Sequence, residues 1–520
     1  MIKGIIFDYD KTLYSHELKF VPNLTLKTLR KLKENGIKLA LCTSRERFEL
    51  EDLDEEIAEM MDLIAAGNGS TIIKDGKIIE KNIMPDSATK TIINYLNDNN
   101  LAYHYTDVEG NVHFVNRFKE GLLKNFYQGN LSEFIFKDFT DEQLLNIQVY
   151  FPTERQLKEI NSLAPEISST QIFCGPQLAK KGIDKGYGAR LFMQMFNLTK
   201  EETVSVGDAL SDIPMFKETA ISISTLDASE TVKLASTHIM PLTIEEGGLN
   251  RILIQLGIVE KEPYDIKIFF LDIDNTIYDH SIRQVRESTL DALKQLKAKG
   301  YKLFLNTGRS FDEVQSVPQE VRDMVDGMVC SNGANYILNG KHYFKPIDIE
   351  ASKPLTDFFK KHDMYFRYVT IDNKTYYSKY HERLERLKVY YQMELPIKEY
   401  EDEQLIQFIF YSSDESLEEE ISYLARNLQR TRISSGNEVA RKGVTKASTM
   451  LKIVELLGLK PENICAVGDS NNDTEMLKAA RLSIAMGNGC LNCKKAATFI
   501  CPDIREDGFA RALRHFKLID

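Results

Sequence analysis

Ile268-Phe269-Phe270-Leu271-Asp272-Ile273-Asp274-Asn275-Thr276 is an unbroken apolar run that ends in two carboxylates two residues apart. Apolar residues without alternation mark a strand buried on both faces, so the acids fall where that strand ends. Paired carboxylates in that position suit metal-assisted chemistry at phosphorus. The arrangement also stands 264 positions earlier, where Ile5-Ile6-Phe7 runs into Asp8-Tyr9-Asp10-Lys11-Thr12. A lone Asp-x-Asp-x-Thr is a weak pattern, usually a turn or a solvated strand end; recurrence in register gives it weight.

Other landmarks repeat with it. Leu41-Cys42-Thr43-Ser44-Arg45 is answered 264 positions on by Leu305-Asn306-Thr307-Gly308-Arg309, and Asn68-Gly69-Ser70 by Asn332-Gly333-Ala334. The later pairs keep step at 261: Lys181-Gly182-Ile183-Asp184-Lys185 with Lys442-Gly443-Val444-Thr445-Lys446, and Gly207-Asp208 with Gly468-Asp469. The shift of three residues falls between about 84 and 178, so that segment tolerates length change as an insert does. The expected organisation is a first core of residues 1–83 and 178–258 with an insert at 84–177. A linker at 259–264 follows, then a second core of 265–347 and 439–520 with an insert at 348–438.

The core segments alternate short apolar runs, such as Gly36-Ile37-Lys38-Leu39-Ala40-Leu41 and Thr203-Val204-Ser205-Val206, with amphipathic stretches. Leu26, Leu29 and Leu32 recur at helical spacing before Gly36, as Leu290, Leu293 and Leu296 do before Gly300. The fold class is therefore α/β, two tandem parallel-sheet cores, with ligands bound beyond the carboxyl ends of the strands. Asn146–Phe151 and Gln407–Tyr411 read as strands of a smaller mixed sheet, so each insert is assigned as a small α+β domain.

A chain of 520 residues is too long for one core. Its 43% hydrophobic and 28% charged content is ordinary for a soluble protein. Met1–Phe7 reaches Asp8 too soon for a signal peptide, and no apolar stretch spans a bilayer. Seven cysteines without framework spacing fit a reducing compartment, so the expected location is cytoplasmic. The net charge of −11 argues against nucleic acid or anionic membranes as partners, and it repels a phosphorylated substrate. Local cations, a lysine and a bound metal, must supply the attraction. No feature of the sequence sets an oligomeric state.

Attack on a phosphate ester needs a nucleophile, an acid for the leaving oxygen and positive charge around the phosphoryl group. Asp8 and Asp272 qualify as carboxylate nucleophiles that form an aspartyl-phosphate. Asp10 and Asp274 suit proton exchange with the leaving group and then with water. Thr43 and Thr307 offer hydroxyl and backbone donors, and Lys185 and Lys446 a fixed cation. Asp208 and Asp469, with the first aspartate, make a hard oxygen site suited to Mg²⁺.

With these residues in place the chain resembles the haloacid dehalogenase superfamily, and within it the Cof-like phosphatases, over nearly its whole length, twice. The resemblance implies Rossmann-like cores with nucleophiles Asp8 and Asp272 and acid/base residues Asp10 and Asp274. It implies phosphate binding by Thr43, Lys185, Thr307, Lys446 and Asn472. Metal binding would fall to Asp8, Asp208, Asp272 and Asp469, supported by Asp212 and Asp473 and by the backbone carbonyls of Asp10 and Asp274. The inserts would be caps that close over the site and select the substrate.

The halves fit the pattern unequally. Ser211 stands opposite Asn472, Ser44 opposite Gly308, and Ser224-Thr225-Leu226-Asp227 opposite Ala485-Met486-Gly487-Asn488. Asp212 and Asp473 also suit helix capping. Cys490-x-x-Cys493 has no second Cys pair at matching spacing, so structural accident is the better reading. Tyr365, Phe366, Tyr368, Tyr376 and Tyr377 alternate as a small-domain core does. Arg117, Lys119, Arg367 and Arg383 are weak candidates for a second anionic group, whereas Arg45 and Arg309, beside the Thr, are placed to contact phosphate or steady an acid.

The leading expectation is a Mg²⁺-dependent phosphatase of small phosphorylated metabolites, sugar phosphates first, with a site in each half. Rival readings are a phosphomutase using the same aspartyl-phosphate, and one active half with a non-catalytic regulatory partner.

Overall fold

The computed structural model describes residues 1–115, 135–172, 175–261, 263–411, 417–433 and 436–520. The chain divides between Lys261 and Glu262 into two compact units. Val259, expected in the linker, packs in the apolar core of the first unit.

The core of the first unit is an eight-stranded sheet. Its order is His238–Ile239, Ile221–Ser224, Thr203–Gly207, Gly4–Phe7, Lys38–Cys42, Leu63–Ala66, Thr71–Lys74 and Lys77–Lys81. The first six strands are parallel, and the last two add an antiparallel extension. Gly4–Phe7 lies at the centre, and its alternate residues feed two separate cores. Ile5 and Phe7 pack with Leu29, Leu32 and Leu41, while Ile6 packs with Ala40 and Phe192 on the opposite face. That two-sided burial is why the run shows no polar alternation.

The second unit repeats the order with Ile268–Leu271 at the centre, between Lys302–Asn306 and Ile464–Gly468. Helices Asn23–Glu34 and Glu287–Ala298 carry the leucine faces, and Gly36 and Gly300 follow them at φ 76° and 85°. A positive φ at that point ends the helix, and glycine adopts it without a Cβ penalty.

Each unit carries a second sheet built from its insert. In the first, six strands run Ile167–Ile172, Gly175–Lys180, Leu144–Val149, Tyr103–Asp107, Val112–Val115 and Ile135–Phe136, the last pair parallel and the others antiparallel. In the second, five strands are antiparallel throughout, so this sheet is not mixed. The strands Gly175–Lys180 and Gly436–Arg441 run three residues past the boundaries drawn at 177 and 438. Their pairing with Ile167 and Leu428 keeps Lys180 and Arg441 in the insert sheets. Among the described residues no helix is long and apolar enough to cross a membrane.

Candidate active site in each unit

Asp8 follows Gly4–Phe7 directly, and its backbone N–H donates to Val206 across the sheet. This fixes its carboxylate at the end of the central strand. Lys185, the first residue of helix Lys185–Met195, reaches it: Nζ donates to Asp8 Oδ1 and to Asp212 Oδ1, both at 2.6 Å. The second unit repeats the contacts, with Lys446 Nζ 2.6 Å from Asp272 Oδ1 and 2.7 Å from Asp473 Oδ1. Burial disfavours the charged form of a lone lysine, but the facing carboxylates overcome it and hold both ammonium groups charged.

Asp212 and Asp473 were expected to support a metal. Their carboxylate oxygens join Asp8–Asp208 and Asp272–Asp469 in clusters whose members lie within 4.8 Å of one another. Both oxygens of each are already engaged, however. One takes the lysine, and the other accepts backbone N–H groups, of Asp208 and Ala209 at 2.8 Å in the first unit and of Asp469 and Ser470 at 3.1 and 2.9 Å in the second. They shape the loop and orient the lysine, leaving Asp8 with Asp208, and Asp272 with Asp469, to face a cation. The approach explains Gly207 and Gly468, where an added Cβ would lie 2.4 and 2.5 Å from those carboxyl groups.

Clustered acids in a buried place resist ionisation. Burial and the neighbouring acids push the Asp272 carboxyl up to about 7 and the Asp469 carboxyl up to about 9. Asp8 is raised well above the ordinary value and Asp208 to about 6, for the same reasons. An all-oxygen set that favours an added positive charge this strongly fits a hard divalent cation.

Asp10 and Asp274 do not point into the acid cluster. Arg45 grips Asp10 through Nε and a terminal nitrogen, at 2.9 and 2.8 Å, and His16 Nε2 lies 2.8 Å from the same carboxylate. Arg309 and His280 hold Asp274 likewise, at 3.0, 2.5 and 2.6 Å. Burial alone would raise these carboxyls; the guanidinium and imidazole partners hold them well below the usual carboxylate range. Arg45 and Arg309 therefore steady an acid. The histidines were missed in the sequence, although His16 and His280 stand 264 apart like the acids they touch.

Thr43 and Thr307 are buried at the end of the neighbouring strand. Their own N–H groups, expected as donors, instead pair with Ala65 and Val329 and continue the sheet. The hydroxyl oxygens accept the N–H of Arg45 and Arg309 at 3.1 Å, so each hydroxyl hydrogen stays available to donate. Asn472 Nδ2 donates to Asn332 Oδ1 at 2.9 Å; Ser211 is its counterpart in the first unit.

In the second unit a cavity of about 230 Å³ opens over Asp272, lined by Asp274, Arg309, Tyr391, Glu438 and Asn472 among others. Residues of the insert thus share a cavity with Asp272. Arg367, weighed for a second anion, is not free: it is buried against Glu313 and donates to Gln407 at 2.9 Å. Arg383 lies over the Tyr411 ring, 4.3 Å from its centre. Arg117 and Lys119 fall outside the described residues. Tyr365, Phe366, Tyr368 and Tyr377 are core side chains of the insert, as alternation suggested, while Tyr376 is half-buried.

The family profile of the haloacid dehalogenase-like hydrolases matches residues 5–253 and again 269–513. The 5-amino-6-(5-phospho-D-ribitylamino)uracil phosphatase YcsE of Bacillus subtilis (strain 168) is 26% identical over 269 residues, spanning 50% of this chain and 99% of that protein. A second phosphatase of the same name, YitU from the same strain, is 25% identical over 276 residues, spanning 50% and 99%. Among solved structures, the phosphatase BT1666 from Bacteroides thetaiotaomicron is 26% identical, covers 51% of this chain and 99% of its own, and has a TM-score of 0.45.

Proposed function

The chain belongs to the haloacid dehalogenase-like hydrolases, once in each half, and from that premise we propose that it is a Mg²⁺-dependent phosphomonoesterase with a reaction centre in each unit. The observation that carries this reading is the bridge from one buried lysine to two acids, Lys446 to Asp272 and Asp473, copied at Lys185.

Asp272 and Asp8 attack phosphorus through a carboxylate oxygen, and the ester oxygen leaves as the aspartyl-phosphate forms. Lys446 and Lys185 hold that carboxylate in place and offset charge on the phosphoryl oxygens. The Thr307 and Thr43 hydroxyls donate to the same oxygens. Asp274 and Asp10, kept ionised by their arginines, are poised as bases for the water that splits the intermediate. His280 and His16, hydrogen-bonded to those acids, stand where they can return a proton for the leaving group. Mg²⁺ held between Asp272 and Asp469, or Asp8 and Asp208, would neutralise phosphoryl charge and relieve the repulsion among the acids.

The substrate class is a small phosphorylated metabolite. A cavity of about 230 Å³ with insert residues in its wall suits such a molecule better than a folded protein. Two relatives are named for a phosphorylated ribityl compound, a substrate of that size. The test is phosphate release over sugar, polyol and nucleotide phosphates, with and without Mg²⁺. Asp8→Asn plus Asp272→Asn should abolish release while the fold persists, and full activity in that double variant overturns the reading.

A second reading, unequal halves, is favoured by the amide bridge between Asn472 and Asn332, where the first unit has Ser211. The single variants separate it: a regulatory first half loses no catalytic residue in Asp8→Asn.

A further inference from the structure

We propose that Cys490 and Cys493 are a peroxide-sensitive dithiol beside the second reaction centre, which closes to a disulfide and loosens the loop from Asp469 to Asp473. The sequence alone gave this C-x-x-C no role, and the structure supplies the reasons to assign one.

Cys490 is half-buried and lines the cavity with Asp272, Ser470, Asn471 and Asn472. Cys493 is buried. Cys490 stands immediately before helix Leu491–Ala496 and Cys493 is the third residue of that helix, the two positions whose side chains turn toward each other at a helix start. Both thiols also hold the catalytic loop. Cys490 Sγ donates to Asn471 Oδ1 at 3.3 Å, and Cys493 Sγ donates to the Ser470 carbonyl at 2.7 Å. These anchors lie between Asp469, which would hold the cation, and Asn472.

The other described cysteines contrast with this pair. Cys42, Cys330, Cys465 and Cys501 are all buried, and burial pushes the Cys42, Cys330 and Cys501 thiols up to about 12. They are structural and inert.

The fold does not require the thiols. The equivalent positions in the first unit, 261 earlier, are Ser229 and Val232. Ser229 precedes helix Glu230–Ala235 at φ −63°, ψ 154°, and Cys490 precedes Leu491–Ala496 at φ −67°, ψ 157°. The same backbone thus forms with neither sulfur, and the chain carries its own thiol-free control.

The oxidant is a hydroperoxide. The Cys490 thiolate attacks one peroxide oxygen, forming an S–O bond as the O–O bond breaks, and the leaving oxygen takes a proton to give water or an alcohol. Cys493 sulfur then attacks the sulfenic sulfur of Cys490; the S–S bond forms, the S–O bond breaks, and hydroxide leaves with the Cys493 proton as water. Two thiols are oxidised and one peroxide bond is reduced. Closing the pair withdraws both sulfurs from Asn471 and Ser470.

The activity arm of the test rests on the proposed phosphatase reading; the thiol arm does not. Full-length Asp8→Asn protein, in which phosphate release reports the second unit, is treated with hydrogen peroxide, alkylated and digested. The peptide holding Cys490 and Cys493 should be lighter by two hydrogens and closed to alkylation. Phosphate release should fall about tenfold, the scale of losing support around a metal-binding residue, and recover with dithiothreitol. Cys490→Ser and Cys493→Val, the first unit's own residues, should give no closed peptide and no peroxide response. Asp272→Asn protein, reporting the first unit, should ignore peroxide.

Alkylation at both cysteines after peroxide overturns the proposal, as does Cys490 running on to sulfonic acid without closure. A closed pair with undiminished phosphate release overturns its link to the loop. If neither the wild type nor the untreated Asp8→Asn protein releases phosphate, the phosphatase reading fails, and the peptide map still decides the dithiol.

Discussion

Glu46→Gln in the first unit should remove one large component of that unit's pH dependence of stability. Glu46 is 5% exposed and sits between core and insert, where Asn146 and Gln177 donate their amide N–H groups to Oε1 at 2.8 and 3.0 Å. Those donors are uncharged, so burial dominates and, with Glu49 nearby, pushes the carboxyl from 4.5 up to about 8. The difference corresponds to about 5 kcal/mol between protonated and ionised forms. The folded unit keeps a proton that the unfolded chain releases above its own value. The Glu46 contribution to stability is therefore fullest below about pH 4.5, falls by roughly 5 kcal/mol as pH rises to about 8, and is level beyond. Glutamine keeps the acceptor and cannot ionise. Thermal unfolding of wild type and Glu46→Gln, followed from about pH 5 to pH 8, should show curves that diverge as pH rises, the variant leading by about 10 °C or more at the upper end. Parallel curves would refute the reasoning, since Glu46 would then be ionising in the fold without cost.

Lys446→Met should destabilise the second unit by about 3–5 kcal/mol, because it leaves Asp272 and Asp473 buried without their cation. Mg²⁺ should recover part of that loss in unfolding measurements, by binding the folded acids in preference to the unfolded chain. Arg309→Met, made in the Asp8→Asn background, should let burial raise the Asp274 carboxyl, which Arg309 and His280 now hold down. Its base form would then be lost at higher pH, so the acidic limb of the rate profile should move upward; an unmoved limb means Asp274 is not the titrating group.

The parts legible in the sequence are those set by local pattern. A two-sided apolar strand ends in Asp272, a helix begins at Lys446, and Gly468 admits the Asp473 side chain; each signal lies within a few residues. The repeat then brought the signals together without coordinates. His280 was legible by the same register but lacked a motif to draw attention to it. The Thr307 N–H was misjudged because pairing with Val329 extends the sheet one residue past the strand that the apolar pattern marks. The contacts of Cys490 and Cys493 depend on how a loop folds against its neighbour, and spacing carries no such information.

The buried polar groups between core and insert show where legibility ends and divergence begins. Asn68 and Asn332 correspond, yet Asn68 donates to Gln177 at 2.6 Å, whereas Asn332 donates to Glu438. His104 and Arg367 correspond by strand register, facing Gln148 and Ile409. His104 lies 2.8 Å from the Tyr150 hydroxyl, and its burial pushes it down to about 3, a neutral ring. Arg367 instead forms an ion pair with Glu313 and reaches Gln407, which donates to Glu438. One unit thus buries amides around a single carboxyl, and the other buries a guanidinium between acids. The acids and lysine at the strand ends are held alike in both units because they bind one another. The groups behind them meet only the demand that buried polar atoms find partners, and two chemically different sets have met it.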